Sequence, residues 1–224
     1  MPVATHVLLA LTALVAASLS GAIGMGGGVL LLAVMASVLP PAVVVPIHGV
    51  VQLVSNSTRS LRLLRSVNRR IVLLYVPPMV VGAFVGLQLY RGAEMSWFRP
   101  AIGLLILAML GFERFAPRRL QPPLWVFAPA GLGGGILTIL LGVSGPYLAM
   151  FFLRDDLTRE EIVATKAGIQ MFGHLLKIPA FLSIGFAYRA HLDLLVPLCL
   201  AAVAGTLAGT WLLRRMGERL FRIA

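Results

Sequence analysis

The chain has 224 residues, of which 59% are hydrophobic and 12% are charged. An average soluble domain has about 25% charged and about 45–50% apolar residues, so this composition excludes a soluble domain with an ordinary surface, and also disordered and collagen-like chains. The 19 basic and 8 acidic residues give a net charge of +11, but the basic residues lie mostly between apolar runs. That distribution indicates a polytopic membrane protein whose partner is the lipid bilayer, and no nucleic-acid partner.

Apolar runs long enough to cross a bilayer define the predicted helices. A transmembrane helix needs about 20 mostly apolar residues, and four runs meet this requirement: 42–64, 70–90, 97–113 and 191–213. A longer run covers 159–187. The sequence therefore predicts an all-α membrane protein that folds as a polytopic helical bundle.

Two further stretches, 3–39 and 122–153, are too long for one crossing, and a glycine-rich break interrupts each of them. The breaks read Gly24-Met25-Gly26-Gly27-Gly28 and Gly142-Val143-Ser144-Gly145-Pro146. After each break comes a short apolar segment, 29–38 or 147–153, which is long enough for only part of a crossing. We expect a re-entrant half-helix at both places.

The linkers carry the charge that predicts orientation. Arginines cluster around the end of the 42–64 helix, in the 114–119 linker and in the C-terminal tail: Arg59, Arg62, Arg65, Arg69, Arg70, Arg114, Arg118, Arg119, Arg214, Arg215, Arg219 and Arg222. Basic loops stay on the cytoplasmic side, so the N-terminus should lie outside the cell membrane and the C-terminus in the cytoplasm. This orientation requires each broken stretch to return to the side on which it started.

A shift of 118 residues aligns the chain with itself. The shift pairs Gly24 with Gly142, Gly27 with Gly145, Leu30 with Leu148, Leu39 with Leu157, His48 with Lys166, Gln52 with Gln170, Asn56 with His174, and Arg59 with Lys177. Apolar sequence aligns with itself by chance, but here the breaks and the polar positions stay in step. The sequence predicts one transmembrane domain of two inverted repeats: 1–120, which includes a connecting helix, and 121–224. Many secondary transporters have this architecture, with the substrate site where the repeats meet.

Two polar stripes run along the predicted helices 42–64 and 159–187. The spacing of four, four and three residues puts His48, Gln52, Asn56 and Arg59 on one face, and Lys166, Gln170, His174 and Lys177 on one face of the partner. A Lys or Arg at the bilayer centre costs roughly 2.5–3.5 kcal/mol, so it should face protein or water. Two interpretations stay open for each residue type. The cations either belong to the site or extend to the lipid headgroups. The histidines either belong to the site or are interior histidines whose hydrogen bonds are satisfied.

All acidic residues lie in a linker, a tail or the first turns of a helix: Glu94, Glu113, Asp155, Asp156, Glu160, Glu161, Asp193 and Glu218. A deep cation on either stripe therefore has no carboxylate at its own depth. The missing partner is most simply a transported anion.

The breaks add backbone donors to this hypothesis. The first turns of a half-helix have N–H groups without intrahelical partners and a positive dipole end, and glycine lets an anion approach closely. We therefore predict substrate binding by the eight stripe residues together with Gly24, Gly26, Gly27, Gly28, Gly142, Ser144, Gly145 and Pro146. The glycines at positions 131, 133, 134 and 135 indicate close helix packing instead. Cys199, the single cysteine, excludes an internal disulfide and a cysteine-rich metal site, and we expect no metal and no cofactor.

Three short motifs carry a resemblance to a known family: Gly21-Ala22-Ile23-Gly24-Met25-Gly26-Gly27-Gly28, Pro40-Pro41 and Leu141-Gly142-Val143-Ser144-Gly145-Pro146. In these motifs and in its duplicated plan, the chain resembles the sulfite exporter TauE/SafE family of membrane anion permeases over nearly its whole length. It departs from the family at Ala33, where a proline is expected, and its second repeat ends one helix early. The resemblance implies a secondary transporter for a small inorganic or organosulfur anion such as sulfite, thiosulfate or an organosulfonate.

Two other classes of function stay open at this point. Gly142-Val143-Ser144-Gly145 is similar to the serine motif of rhomboid intramembrane proteases, with His174 or His191 as the base, so an intramembrane serine hydrolase is one alternative. A membrane scaffold that transports nothing is the other. For a transporter, export and uptake, proton-coupled and uncoupled transport, and monomer and homodimer are all compatible with the sequence.

Overall fold

The computed structural model describes residues 2–91, 95–97, 100–104, 107, 108, 111, 122–152, 154–217 and 221. Within these ranges the chain is helical and has no strand. We number its helices in chain order: α1 Val3–Ile23, α2 Gly27–Val38, α3 Pro41–Arg62, α4 Arg69–Arg91, α5 Phe127–Leu140, α6 Gly145–Ala149, α7 Arg159–Ser183 and α8 Leu192–Arg215. The described residues between 100 and 111 are helical too, inside the predicted 97–113 helix. The rest of that helix lies outside the described residues, as do Glu94, Glu113, Arg114, Arg118, Arg119, Glu218, Arg219 and Arg222.

Three described segments are long and apolar enough to cross a bilayer: Val3–Ile23, Arg69–Arg91 and Tyr188–Arg215. The structure confirms helices over the predicted spans 70–90 and 191–213, and the all-helical described residues fit a multi-pass membrane protein. Helices α3 and α7, with 22 and 25 residues, match the predicted runs 42–64 and 159–187. They are not among the three apolar segments, because each carries a polar stripe along its length.

Both glycine-rich breaks interrupt a helix where predicted. Helix α1 ends before Gly24, and α5 ends shortly before Gly142; the φ angles of these glycines are 76° and 81°, in the left-handed region that favours glycine. The half-helices begin earlier than predicted, at Gly27 and Gly145 rather than after Gly28 and Pro146. A first helical turn needs no intrahelical N–H partner, so glycine and proline fit within it.

The two half-helices differ in length. Helix α2 has 12 residues, whereas α6 has five and continues as a 3-10 turn over Met150–Phe152. A dipole accumulates along consecutive aligned peptides, so the end of α2 that faces the first break is the more strongly polarised one. The helix dipole is therefore stronger at the first break than at the second.

Helices of the predicted first repeat pack against helices of the predicted second repeat. Helix α1 lies along α8, α4 lies along α5, and α3 lies against α7. A Cβ atom added at Gly82 would lie 2.0 Å from the carbonyl oxygen of Leu132, and one at Gly205 would lie 2.2 Å from that of Leu14. Leu14 and Leu132 are equivalent under the shift of 118 residues, whereas Gly82 and Gly205 lie 123 residues apart. The two pairs therefore have similar glycine-to-carbonyl contacts that are not in the same register.

The glycines at positions 131 to 135 pack closely, as predicted. Added Cβ atoms at Gly131 and Gly135 would lie 2.2 Å and 2.1 Å from carbonyl oxygens of α4. At Gly134 and Gly133 the corresponding space holds the hydroxyl groups of Tyr75 and Tyr147. These contacts fix α5 against α4, and through Tyr147 against α6, at the entrance to the second break.

Candidate functional site

A small cavity, about 20 Å³ in volume, lies between the two breaks and the two polar stripes. Both repeats line it: Ser20, Gly24, Met25, Gly26, Gly28, Val29, His48, Gln52, Val143, Gly145, Pro146, Gln170 and His174. The first break and α3 form one wall, and the second break and α7 form the other. One cavity is thus lined by the central parts of both segments that the 118-residue shift aligns.

The structure brings about half of the predicted site residues to this cavity. Those in the lining are Gly24, Gly26, Gly28, His48, Gln52, Gly145, Pro146, Gln170 and His174. Those outside it are Gly27, Asn56, Arg59, Gly142, Ser144, Lys166 and Lys177. Sequence reasoning missed Ser20, Met25, Val29 and Val143. Met25 and Val143 lie within the two break motifs, so their positions in the sequence could have identified them. Ser20 could have been identified from its alignment with Thr138 under the 118-residue shift.

The first break offers a backbone donor to the cavity. Within the described part of the chain no acceptor is bonded to the N–H of Gly28, whereas those of Val29 and Leu30 bond the carbonyl oxygen of Gly26. Gly28 lies in the first turn of α2 and in the cavity lining. This N–H lies at the N-terminal end of a 12-residue helix. The helix dipole makes that end positive, so an anion is favoured there.

The rings of the two stripe histidines are in edge-to-face contact in the cavity lining, with centroids 5.9 Å apart and an interplanar angle of 74°. The Nε2 atom of His48 lies 2.9 Å from the carbonyl oxygen of Gly28. A carbonyl oxygen only accepts, so this nitrogen carries the proton and donates. The Nδ1 atoms of both histidines are buried without a hydrogen-bond partner among the described residues. They are therefore not the fully satisfied interior histidines of the alternative interpretation.

The deep cations do not extend to the headgroups. Arg59, Lys166 and Lys177 are 1%, 2% and 0% exposed. Arg59 donates from Nη1 to the carbonyl oxygen of Ser20 and from Nη2 to Oδ1 of Asn56, both at 2.7 Å. Lys177 donates from Nζ to the carbonyl oxygen of Gly142 at 2.5 Å.

These contacts differ from the expectation that the cations of the stripes await an anion as their only partner. The last carbonyl groups of a helix lack intrahelical partners and form its negative end, where cations are favoured. Arg59 and Lys177 are equivalent under the shift, and each binds at the C-terminal end of the first helix of its own repeat. The oxygens that they bind are uncharged, so these contacts do not neutralise a positive charge on either side chain.

The amide groups of the stripe glutamines lie against the half-helix backbones. A Cβ atom added at Gly145 would be 2.6 Å from Nε2 of Gln170, and one at Gly28 would be 3.7 Å from the side-chain amide of Gln52. A side chain at position 145 would displace the amide of Gln170 from this close approach. The amides and the breaks together form the polar surface of the cavity.

The hydroxyl group of Ser144 is bonded to a threonine. Thr138 Oγ1 lies 2.8 Å from Ser144 Oγ, and within the described ranges no histidine contacts that oxygen. The ring of His191 stacks instead on Phe186, with centroids 5.3 Å apart. A serine nucleophile needs a base within hydrogen-bond reach, so the described residues do not assemble this arrangement.

A comparison with protein families gives a match over residues 9–224 to the family described as sulfite exporter TauE/SafE. The chain belongs to the TauE/SafE family. Membership identifies a membrane anion transporter and agrees with the apolar helices and with the cavity between the breaks. No curated protein and no solved structure matches the chain, so within the TauE/SafE family the details of its site rest on its own geometry.

Proposed function

We propose that the chain carries a small sulfur-containing anion, such as sulfite, thiosulfate or an organosulfonate, across the cytoplasmic membrane. The anion binds in the cavity between the breaks, and the two repeats move against each other so that the cavity opens to one side at a time. In this proposal the repeats have opposite orientations, each broken stretch is a re-entrant hairpin, and the N-terminus is outside. The observation that carries the proposal is that both breaks and both stripes line one cavity.

The chemistry of the cavity supports an anion as its occupant. The N–H of Gly28 and the amides of Gln52 and Gln170 are donors at its surface, whereas the carboxylates of the described residues lie in linkers and first turns. Arg59 and Lys177 stand just behind the lining with uncharged partners. Positive charge in a low-dielectric wall concentrates anions.

The residues of the predicted site divide into two roles in this proposal. Those in the lining contact the anion. Those outside it support the lining: Gly27, Asn56, Arg59, Gly142, Ser144, Lys166 and Lys177. Arg59 and Lys177 would then act by holding the ends of the broken helices and by their charge, without direct contact.

The packing between the two repeats supports the duplicated architecture of the proposal. The last described helix of each repeat lies on the first helix of the other, with similar close glycine contacts at Gly82 and Gly205. A two-fold relation between the repeats would produce this exchange. Alternating access, in which one repeat rocks against the other, depends on the same two-fold relation between the repeats.

Anion flux tests the site directly. Protein reconstituted in liposomes should release loaded sulfite, and Gln170→Ala and His174→Ala should each lower the rate about tenfold or more, because each removes a polar group from the cavity. Thr210→Val is the matched control: Thr210 is fully buried in α8, but it lies outside the cavity and bonds a carbonyl oxygen of its own helix. Unchanged rates in both cavity variants would remove the stripe from the mechanism.

A ligand screen separates the transporter from the scaffold alternative. Purified protein should unfold at a higher temperature with the anion that it binds, because a ligand of the native state stabilises that state. Sulfite, sulfate, thiosulfate, a taurine-like sulfonate and a carboxylate form the panel. A scaffold predicts no stabilisation by any of them.

A further inference from the structure

The side chain of Asn56 is held in one orientation by Arg59. The Nη2 atom of Arg59 lies 2.7 Å from Oδ1 of Asn56, and its Nη1 donates to the carbonyl oxygen of Ser20. A guanidinium group has donors only, so the amide of Asn56 must present its oxygen to Arg59. Its NH₂ group then faces the other way, towards Gln52.

Asn56 in turn fixes the orientation of Gln52. The Nδ2 atom of Asn56 donates to the backbone carbonyl of Gln52 at 2.8 Å and lies 3.4 Å from its Oε1 atom. An NH₂ group is a donor, so the oxygen of the Gln52 amide is the atom that turns towards it. Gln52 lines the cavity, and among the described residues no acceptor is bonded to its Nε2 atom. The NH₂ group of the Gln52 amide is therefore the end that faces the cavity.

The second repeat lacks this arrangement. The equivalent residues are Gln170, His174 and Lys177. Lys177 bonds the carbonyl oxygen of Gly142 instead of its neighbour on the stripe, and no hydrogen bond joins His174 to Gln170 within the described part of the chain. The orientation of the amide is therefore fixed in one of the two glutamines.

We propose that Arg59 and Asn56 are positioning residues that hold Gln52 with its NH₂ group towards the cavity, and that this fixed donor makes the site select oxyanions. The inference deepens the proposed function and rests on it. A free carboxamide can rotate and offer either its oxygen or its nitrogen to a solute. A fixed donor needs no reorganisation to bind an anion. It also presents no oxygen to a cation or to a hydrogen-bond donor, so the site discriminates against such solutes.

Asn56→Asp is the first test, with sulfite as the probe. A carboxylate has acceptors only, so Asp at this position still binds Arg59 by a charge-assisted bond but offers an oxygen to Gln52. The amide of Gln52 then turns, and its oxygen faces the cavity. We expect the apparent Kd for sulfite, measured on the folded protein, to rise about tenfold or more, equivalent to the loss of one hydrogen bond to a charged ligand.

A double-mutant cycle separates this relay from the added negative charge. In a Gln52→Leu background the amide is gone, so the part of the Asn56→Asp effect that passes through Gln52 disappears and only the direct charge effect remains. Asn56→Leu, which adds no charge, should weaken sulfite binding severalfold in the wild-type background and not at all with Gln52→Leu. Arg59→Lys keeps a donor-only partner for Asn56, and it should retain most of the sulfite affinity.

The second repeat supplies the matched control. His174→Leu and Gln170→Leu should have additive effects on sulfite affinity, because no hydrogen bond couples them. Additive effects of Asn56→Leu and Gln52→Leu, or an unchanged Kd in Asn56→Asp, would overturn the relay and leave the proposed function intact. Absence of sulfite binding by the wild-type protein, and of binding by every other anion of the panel, would overturn both.

Discussion

Gly24 and Gly142, which lie 118 positions apart, adopt the same left-handed backbone conformation at the ends of the two broken helices, with φ angles of 76° and 81°. Residues with a Cβ atom pay about 1–2 kcal/mol for this conformation. Each glycine lies at the end of a helix, and the half-helix that follows starts with residues that line the cavity. The equivalence of the two breaks therefore extends from the sequence to the backbone.

Alanine at either position should destabilise the protein by about 1–2 kcal/mol through backbone strain. Gly24→Ala should have the larger effect, because its Cβ atom would lie 2.9 Å from Cγ2 of Val163, whereas at Gly142 the nearest atoms are 3.3 Å away. Thermal unfolding in detergent, with and without sulfite, measures both stability and binding.

Gly185→Ala is the control for these two variants. Its φ angle is 88°, but nothing lies within 4 Å of an added Cβ atom, and it is outside the cavity. It should lose stability through strain alone and keep the full stabilisation by sulfite. Equal stability of Gly24→Ala and the wild type would mean that the break tolerates another backbone conformation.

The close helix contacts give a second prediction. Gly82→Ala and Gly205→Ala each put a methyl group about 2 Å from a backbone carbonyl oxygen, which flexible side chains cannot relieve. Overpacking of this kind costs about 1–3 kcal/mol, and the two losses should be similar because each added Cβ atom meets a backbone carbonyl oxygen at nearly the same distance. Gly103→Ala, where an added Cβ atom meets nothing within 4 Å, should have no such cost in detergent unfolding. A loss in one of the pair only would argue against similar packing at the two glycines.

The sequence predicted the breaks and the stripes because both depend on local chemistry. Glycine weakens a helix inside an apolar stretch, although Gly133-Gly134-Gly135 lie within the continuous helix α5. Polar residues spaced four, four and three apart share a face in any helix. The 118-residue shift also located the two segments that form the cavity walls. These features follow from short-range geometry and can be read without a structure.

The sequence could not predict how the polar side chains pair. It identified the cations at positions 59 and 177 as deep and without carboxylates, but not that the ends of the broken helices supply their acceptors. That pairing depends on the tertiary position of the Ser20 and Gly142 carbonyl groups. The length of α6 was also out of reach, since 147–153 is apolar throughout and its change to a 3-10 turn leaves no mark in hydropathy.

Ser144→Ala tests the hydrolase alternative. The substitution removes the hydrogen bond between Ser144 and Thr138, which should cost about 0.5–1.5 kcal/mol while sulfite flux from liposomes is retained. A fluorophosphonate probe for serine hydrolases should not label the wild-type protein above the background of Ser144→Ala. Labelling that depends on Ser144 would revive the enzymatic interpretation.

The start of α7 offers a prediction that concerns folding rather than binding. Thr158 and Glu161 form a reciprocal capping box: the Glu161 N–H donates to Thr158 Oγ1 at 3.3 Å, and the Thr158 N–H donates to Glu161 Oε2 at 2.9 Å. Loss of such a cap costs about 0.5–2 kcal/mol, so Thr158→Ala should lower stability by that amount, whereas Thr158→Ser, which can form the same bonds, should not. Thr12→Ala is the control, since Thr12 lies in the middle of α1 and bonds a carbonyl oxygen of its own helix. Because α7 carries Gln170 and His174 far from this cap, the folded fraction of Thr158→Ala should bind sulfite with unchanged affinity. A weakened affinity with full stability would mean that the first turn of α7 communicates with the cavity.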